Sequence, residues 1–291
     1  MRRNRLPRLE EIFGVVAIDI LVSKLQFCTW VANQGTKAMS QPPSYRLHPL
    51  VALRAVRKLM SNGEDTHQVF LLIDALRGKT TLRQFARFRQ TETGRAVLRE
   101  RRRLLDRLSD RASLAALPAG SLGRAYYDFT TSENLSAEGL VEASQVSMAA
   151  LPADDMTLYR ERSREMHDLL HVVTGDGRDP LGEACLVAFS YAQTRLKGFA
   201  MIAAFAARKI AKSRPEQPVR RAVFEGYRHG RSADWLWGAD WEGLLAQSVE
   251  AVRAQFSVKP PKYYRMILAA IREAKEDADA AYVDPSLQLS S

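Results

Sequence analysis

The sequence predicts an all-α protein, a single globular multi-helix domain with a metal site between two of its helices. Apolar residues recur at helical spacing along most of the 291 residues, no stretch sustains β-alternation, and no internal repeat appears. At 46% hydrophobic content the chain has enough apolar surface to bury a real core. The metal site is predicted from MHDLLHVVTGDGRDPLGE, residues 166–183, where two histidines and two carboxylates flank a Gly-rich turn.

Composition narrows the function classes. The two cysteines, Cys28 and Cys185, lie far apart, so neither a disulfide framework nor a thiolate zinc site is expected, and a reducing compartment fits. A net charge of +10 favours an anionic partner. Nucleic acid is set aside because the arginines come with no recognised binding fold and no interleaved aromatic platform.

Residues 1–45 form an N-terminal extension that opens with Arg2, Arg3, Arg5 and Arg8. Its apolar run, residues 12–22, is interrupted by Asp19 and is about half the roughly 20 residues that span a bilayer, so no transmembrane helix is expected. Glu10 and Glu11 ahead of that run argue against a cleaved signal. Met39 begins a polar, Pro-containing entry, so the residues before it read as a mis-called upstream extension or a short amphipathic arm.

Two helices are predicted next: residues 50–60, entered at Pro49 and stopped at Asn62-Gly63, and residues 69–76, stopped at Gly78. Residues 83–111 carry ten arginines among leucines and phenylalanines, an amphipathic pattern. Its basic face would either meet anionic lipid or be solvated beside acids one turn away, as in Arg102 with Asp106 or Arg107 with Asp110. Residues 117–123 read as a loop, Tyr126, Tyr127 and Phe129 as core aromatics, and residues 132–140 as a polar connection.

A helix over residues 156–171, capped by Asp154 or Asp155, is expected to carry the site. Further helices are predicted around residues 184–207 and over 219–231, 241–256 and 263–282, with a tail over 284–291. The apolar, alanine-rich run of residues 199–207 reads as buried core, and Trp241 as a packing residue.

His167 and His171 are four apart, so on a helix both imidazoles face one side, and Asp168 falls about 100° round the axis from His167. Asp168 is therefore a third ligand or a close partner of the first two. The helix must stop at Gly175-Asp176-Gly177, Asp179 can cap a new one, Pro180 can open it, and Glu183 in its first turn supplies the fourth candidate ligand. Two imidazoles with carboxylates suit zinc, ferrous iron or manganese alike. A zinc hydrolase is disfavoured, because Asp168 stands where H-E-x-x-H has its general base.

The run His167, Asp168, His171, eleven residues, Glu183, then Phe189 and Gln193-Thr194, resembles the coenzyme Q (ubiquinone) biosynthesis Coq family of the fourth class. Flanking it in the family's order are residues 94–98, Leu117-Pro118, Ser121-Leu122-Gly123 and Tyr126, then Gly226-Tyr227, Gly230-Arg231, Asp240-Trp241-Glu242 and Val252-Arg253. The resemblance covers residues 46–258 and leaves 259–291 as a C-terminal helix and tail without an assigned role. It implies that His167, Asp168, His171 and Glu183 take metal-ligand positions, with Zn2+ the usual assignment and Fe2+ or Mn2+ as alternatives, and that Glu183 and Asp168 are the catalytic carboxylates. It also implies metal-dependent C1 decarboxylation with hydroxylation of a prenylated hydroxybenzoate-derived ring, a lyase-type activity of ubiquinone biosynthesis. The expected setting is an anionic membrane surface, cytoplasmic and peripheral to the inner membrane in a bacterium or its mitochondrial equivalent, among other ubiquinone biosynthesis proteins. The alternative is a non-catalytic organiser that binds prenyl lipid and gathers pathway enzymes; a homo-oligomer is left open.

Overall fold

The computed structural model describes residues 47–61, 66–132 and 154–281. The N-terminal extension with Cys28, the Asn62-Gly63 stop, the connection from 133 onward and the tail over 284–291 lie outside the described residues. Among the described residues every regular element is a helix, and one isolated bridge pairs Ser121 with Ser248. In chain order they are α1 (Pro49–Ser61), α2 (Thr66–Arg77), α3 (Thr80–Gln90), α4 (Glu92–Glu100), α5 (Leu104–Leu108), α6 (Arg111–Ala115), α7 (Leu122–Ser132), α8 (Asp155–Glu165), α9 (His167–Thr174) and α10 (Pro180–Thr194). Then follow α11 (Lys197–Ser213), α12 (Val219–Ser232), a 3-10 turn (Leu236–Gly238), α13 (Trp241–Leu244), α14 (Val249–Gln255) and α15 (Lys262–Ala281).

Helix α10 is the axis of the fold, since residues along almost its whole length are buried. Asp179 caps it with its side chain, accepting from the Leu181 and Gly182 N–H groups, and Pro180 occupies the first turn, where a missing N–H costs nothing. Helix α12 lies against it through the small residues Ala222, Gly226 and Gly230. A Cβ on Gly226 would sit 2.5 Å from the Cys185 carbonyl oxygen, and one on Gly230 would sit 2.5 Å from that of Phe189, so only glycine permits this approach. Gln193 ties the same pair of helices further along, donating to the Gly230 carbonyl at 2.7 Å and accepting from Leu236 N–H at 3.0 Å.

Two apolar cores meet at α10. Leu186 and Phe189 join the core built on Phe88, Tyr126, Leu169 and Trp241. Leu181, Ala184, Cys185 and Ala188 join the other, formed with α11, α12 and the start of α15. Ala203, Ala206 and Ala207 are buried there, so the alanine-rich run is core as expected, and Trp241 is fully buried. The α1–α2 pair packs on α11, where Ile73 lies against Gly198.

Several helices differ from the sequence expectation. The stretch over 156–171 is two helices that break at Met166, so α9 starts at His167 itself. The 241–256 stretch is likewise two short helices, and 83–111 is divided among four, with Arg101 in a left-handed conformation (φ 54°). The last division scatters the arginines. Arg101 pairs with Asp155 at 2.8 Å, Arg102 with Asp240 at 3.1 Å and Glu100 at 3.3 Å rather than Asp106, and Arg103 approaches Glu161 at 3.9 Å. Arg101, Arg102 and Arg103 are thus tied to acids of the same chain.

The best-formed ion pair joins a buried arginine to a partly buried glutamate. Arg162 on α8 grips Glu242 on α13 with two parallel bonds of 2.6 Å and also donates to the Ala239 carbonyl at 3.2 Å. Burial opposes the charge on Glu242, but the Arg162 hydrogen bonds and charge win and hold its pKa below the ordinary 4.5. The pair's contribution is therefore present above about pH 4.5 and lost as pH falls through the lowered value. Glu242→Gln, which leaves the Arg162 charge buried and uncompensated, should destabilise the protein by about 3–5 kcal/mol at pH 7. Its stability should also lose this acid-side dependence, as measured by urea unfolding at pH 7 and pH 4.

Candidate metal centre

Helix α9 places His167 and His171 one turn apart, and their rings meet edge to face with centroids 4.8 Å apart. The helix ends at Gly175, whose φ of 77° is a left-handed conformation that costs glycine nothing and whose N–H returns to the His171 carbonyl. Arg253 on α14 finishes the cap, donating to the Val173 carbonyl at 2.8 Å and to that of Val172 at 3.1 Å. The chain then turns through Asp176 and Gly177 into the Asp179 cap, and the first turn of α10 brings Glu183 back against the histidines.

Glu183 Oε1 lies 3.3 Å from His171 Nε2 and Glu183 Oε2 lies 3.6 Å from His167 Nε2. Ligand atoms of His167, His171 and Glu183 all fall within 4.8 Å of one another. His171 and Glu183 are buried, whereas His167 is 29% exposed in its side chain and marks the side open to solvent. Phe129 on α7 stacks on the His171 ring at 5.5 Å.

The hydrogen bonding fixes what these atoms can do. His171 Nδ1 lies 2.8 Å from the Asp176 carbonyl oxygen, which can only accept, so Nδ1 carries the hydrogen. In the neutral ring Nε2 then presents a lone pair to the Glu183 carboxylate. Two acceptors facing each other in a buried site need something positive between them, a proton or a metal cation. Neither His171 Nε2 nor Glu183 Oε2 makes a hydrogen bond, and contacts of 3.3 and 3.6 Å are longer than the 2.7–2.9 Å typical of charged pairs. This donor set therefore fits a divalent cation.

With a proton in that place, the electrostatics follow. Burial opposes protonation of His171, but the Glu183 contact and charge, the Asp168 charge and the Asp176 carbonyl together outweigh it and raise its pKa. Burial likewise opposes charge on Glu183, and the two histidines overcome it, lowering its pKa to about 2. Burial raises the pKa of the Cys185 thiol well above its ordinary value, so it offers no thiolate.

Three of the four sequence-predicted residues are brought together. Asp168 is buried beside them, in the first turn of α9, yet its carboxylate is not among the converging atoms. About 100° round the axis from His167, it acts on His171 through its charge. Sequence reasoning missed Asp176, whose main-chain carbonyl orients His171, and Phe129, which covers the ring; neither role leaves a mark in residue spacing.

The fold and these residues define an all-helical protein with a candidate metal centre between two helices. Residues 49–262 match the family described as Coenzyme Q (ubiquinone) biosynthesis protein Coq4, and the chain belongs to that family. It is 28% identical over 268 residues to the mitochondrial ubiquinone biosynthesis protein coq-4 of Neurospora crassa, a match spanning 85% of this chain and 73% of the relative. It is 31% identical over 191 residues to the mitochondrial ubiquinone biosynthesis protein coq4 of Sclerotinia sclerotiorum, spanning 63% of each. A crystal structure described as a ubiquinone biosynthesis protein from Nostoc punctiforme PCC 73102 shares the fold, with a TM-score of 0.51 at 23% identity over 72% of this chain and 98% of that one.

A cation held here depends on lone pairs from both histidines. His167→Ala and His171→Ala should each take up far less zinc, as measured by elemental analysis after equilibrium dialysis, while Cys185→Ser should keep the full content. Undiminished zinc in both histidine variants would sink the assignment.

Proposed function

We propose that this protein is a metal-dependent enzyme of ubiquinone biosynthesis that takes a prenylated hydroxybenzoate-derived intermediate and removes the C1 carboxyl with hydroxylation at that carbon. The carrying observation is the buried approach of His171 Nε2 and Glu183, two acceptors aimed at each other without a hydrogen bond between them. Family membership supports the pathway, and the exposed edge of His167 supports entry of a ring substrate from that side.

A divalent cation on His167, His171 and Glu183, with Asp168 as a further carboxylate nearby, would supply a Lewis acid for the substrate's carboxylate and phenolate oxygens. Replacing the carboxyl by hydroxyl is a two-electron oxidation, in which the ring acid, O2 and water give the phenol, CO2 and hydrogen peroxide; because zinc cannot change redox state, with zinc both electrons would pass directly from an electron-rich ring anion to O2, a demand that iron would relax. The chain's own residues do the rest. The Asp176 carbonyl keeps His171 in one tautomer, Glu183 brings the negative charge that balances a cation, Asp168 adds a second charge, and Phe129 shields the buried ring.

Glu183→Gln keeps the shape of the side chain and removes its charge. Purified variant should fold and bind lipid nearly as wild type does, but leave a prenylated hydroxybenzoate substrate unconverted, and cells relying on it should accumulate the intermediate that still bears its carboxyl. If metal-loaded wild type supplied with oxygen leaves that compound untouched while the variant still co-purifies with other pathway proteins, the organiser reading takes over.

The substrate's tail calls for a membrane surface, and the reading places the protein on an anionic one, peripheral to the inner membrane of a bacterium or mitochondrion. No described helix is long and apolar enough to cross a bilayer. Besides the arginine-rich segment, several of whose arginines are paired with acids, α12 offers a supporting surface, where exposed Phe224 stands between Arg220, Arg221 and Arg228 on one helix face. Binding to anionic vesicles should weaken as salt rises. At about 1 kcal/mol per basic residue, replacing Arg220, Arg221 and Arg228 by Gln should weaken it on the order of a hundredfold, and replacing Arg99 and Arg101, which face Glu100 and Asp155, should do far less.

A further inference from the structure

The C-terminal helix α15 begins where the family match ends, at residue 262, and the sequence gives no reason for it. In the structure its first turn reaches the turn between the two ligand-bearing helices. Tyr264 is buried, and its hydroxyl accepts from the Gly177 N–H at 2.9 Å and donates to Asp179 Oδ2. Burial and the Asp179 carboxylate raise the phenol's pKa well above its ordinary value, so it stays a donor. Both partners matter to the site. Gly177 follows Asp176, whose carbonyl holds His171, and Asp179 caps α10, which carries Glu183 one turn on. The other carboxylate oxygen of Asp179 accepts from the Leu181 and Gly182 N–H groups, so the tyrosine bond leaves the cap intact while fixing its orientation. Helix α15 is itself anchored by the Tyr263 N–H, which donates to Glu225 of α12 at 2.8 Å. A Cβ on Gly177 would fall 2.4 Å from the Tyr264 hydroxyl, so the glycine makes room for it.

We infer that Tyr264 is a positioning residue of the metal centre: one hydroxyl sets the spacing of His171 and Glu183 by holding the Gly177 N–H and the Asp179 cap together. The inference rests on the metal reading above. It gives the helix beyond the family match a task at the site and divides the frame of the turn between Arg253, which closes the end of α9, and Tyr264, which fixes the start of α10.

The test compares zinc affinity with thermal stability in the full chain. Tyr264→Phe keeps the ring's packing and deletes only the hydroxyl, whereas Ile267→Ala opens a gap at a fully buried residue of the same helix without touching the turn. Changes in the groups that orient metal ligands typically cost 10–100-fold in affinity, so Tyr264→Phe should weaken zinc binding about tenfold in a chelator competition with a small fall in melting temperature. Ile267→Ala should do the reverse, lowering the melting temperature more while holding zinc as wild type does. The cobalt-loaded Tyr264→Phe protein should also show a shifted visible absorption spectrum, which a loss of stability alone would not move. Equal affinity in wild type and Tyr264→Phe overturns the role of Tyr264 and leaves the metal reading standing, as does equal weakening in both variants, which makes the helix a general support. Wild-type protein that takes up no divalent cation overturns the metal reading and this inference with it.

Discussion

The hydrogen bond from His171 Nδ1 to the Asp176 carbonyl is the constraint on which the site depends. It decides which ring nitrogen keeps its hydrogen, and so which one faces Glu183. An imidazole free to flip would offer either edge to the pocket. Held at 2.8 Å by a main-chain acceptor, it offers one. The carbonyl is in place because Gly175 adopts a left-handed conformation and Arg253 closes the exposed end of α9, so a tautomer in the core is set by backbone geometry beside it.

The fold supplies rigidity where the site needs it. Helix α10 carries Glu183 and belongs to both cores, so its axis cannot shift without disturbing apolar packing on two sides. The close approach at Gly226 and Gly230 adds a steric stop of main chain against main chain. Side chains in such contacts have little room to relax, so a displacement on either side is passed on to the helix. The largely buried Arg162–Glu242 pair fixes the far edge of the first core, holding α13 against the helix that precedes α9.

How much of this could be read from the sequence depended on how local each cause is. The facing of His167 and His171, the stop at Gly175, the Asp179 cap, Pro180 and the return of Glu183 are all consequences of short spacing, and all were legible. The break at Met166 was not, since neither glycine nor proline stands there and the flanking residues suit a continuous helix. The arginine pattern over residues 83–111 was legible as amphipathic, but Asp155, which holds Arg101, and Asp240, which holds Arg102, lie 54 and 138 residues away, beyond the reach of any helical wheel. Asp168 falls where the wheel puts it, buried beside the histidines, and of the two roles the wheel left open it is the close partner, outside the group of atoms that converge. Main-chain groups such as the Asp176 carbonyl have no residue signature at all.

The separation between ligands and frame bears on the order in which the protein is completed during synthesis. His167, His171 and Glu183 leave the ribosome almost together, within one short stretch of chain. Arg253 and Tyr264, which hold the ends of that stretch, follow some 80 and 87 residues behind the groups they bind. A nascent chain thus has all three donor side chains well before it has the arginine and tyrosine that bond the ends of that stretch. A chain cut short before α15 carries the three donor side chains without the hydroxyl that bonds Gly177 and Asp179.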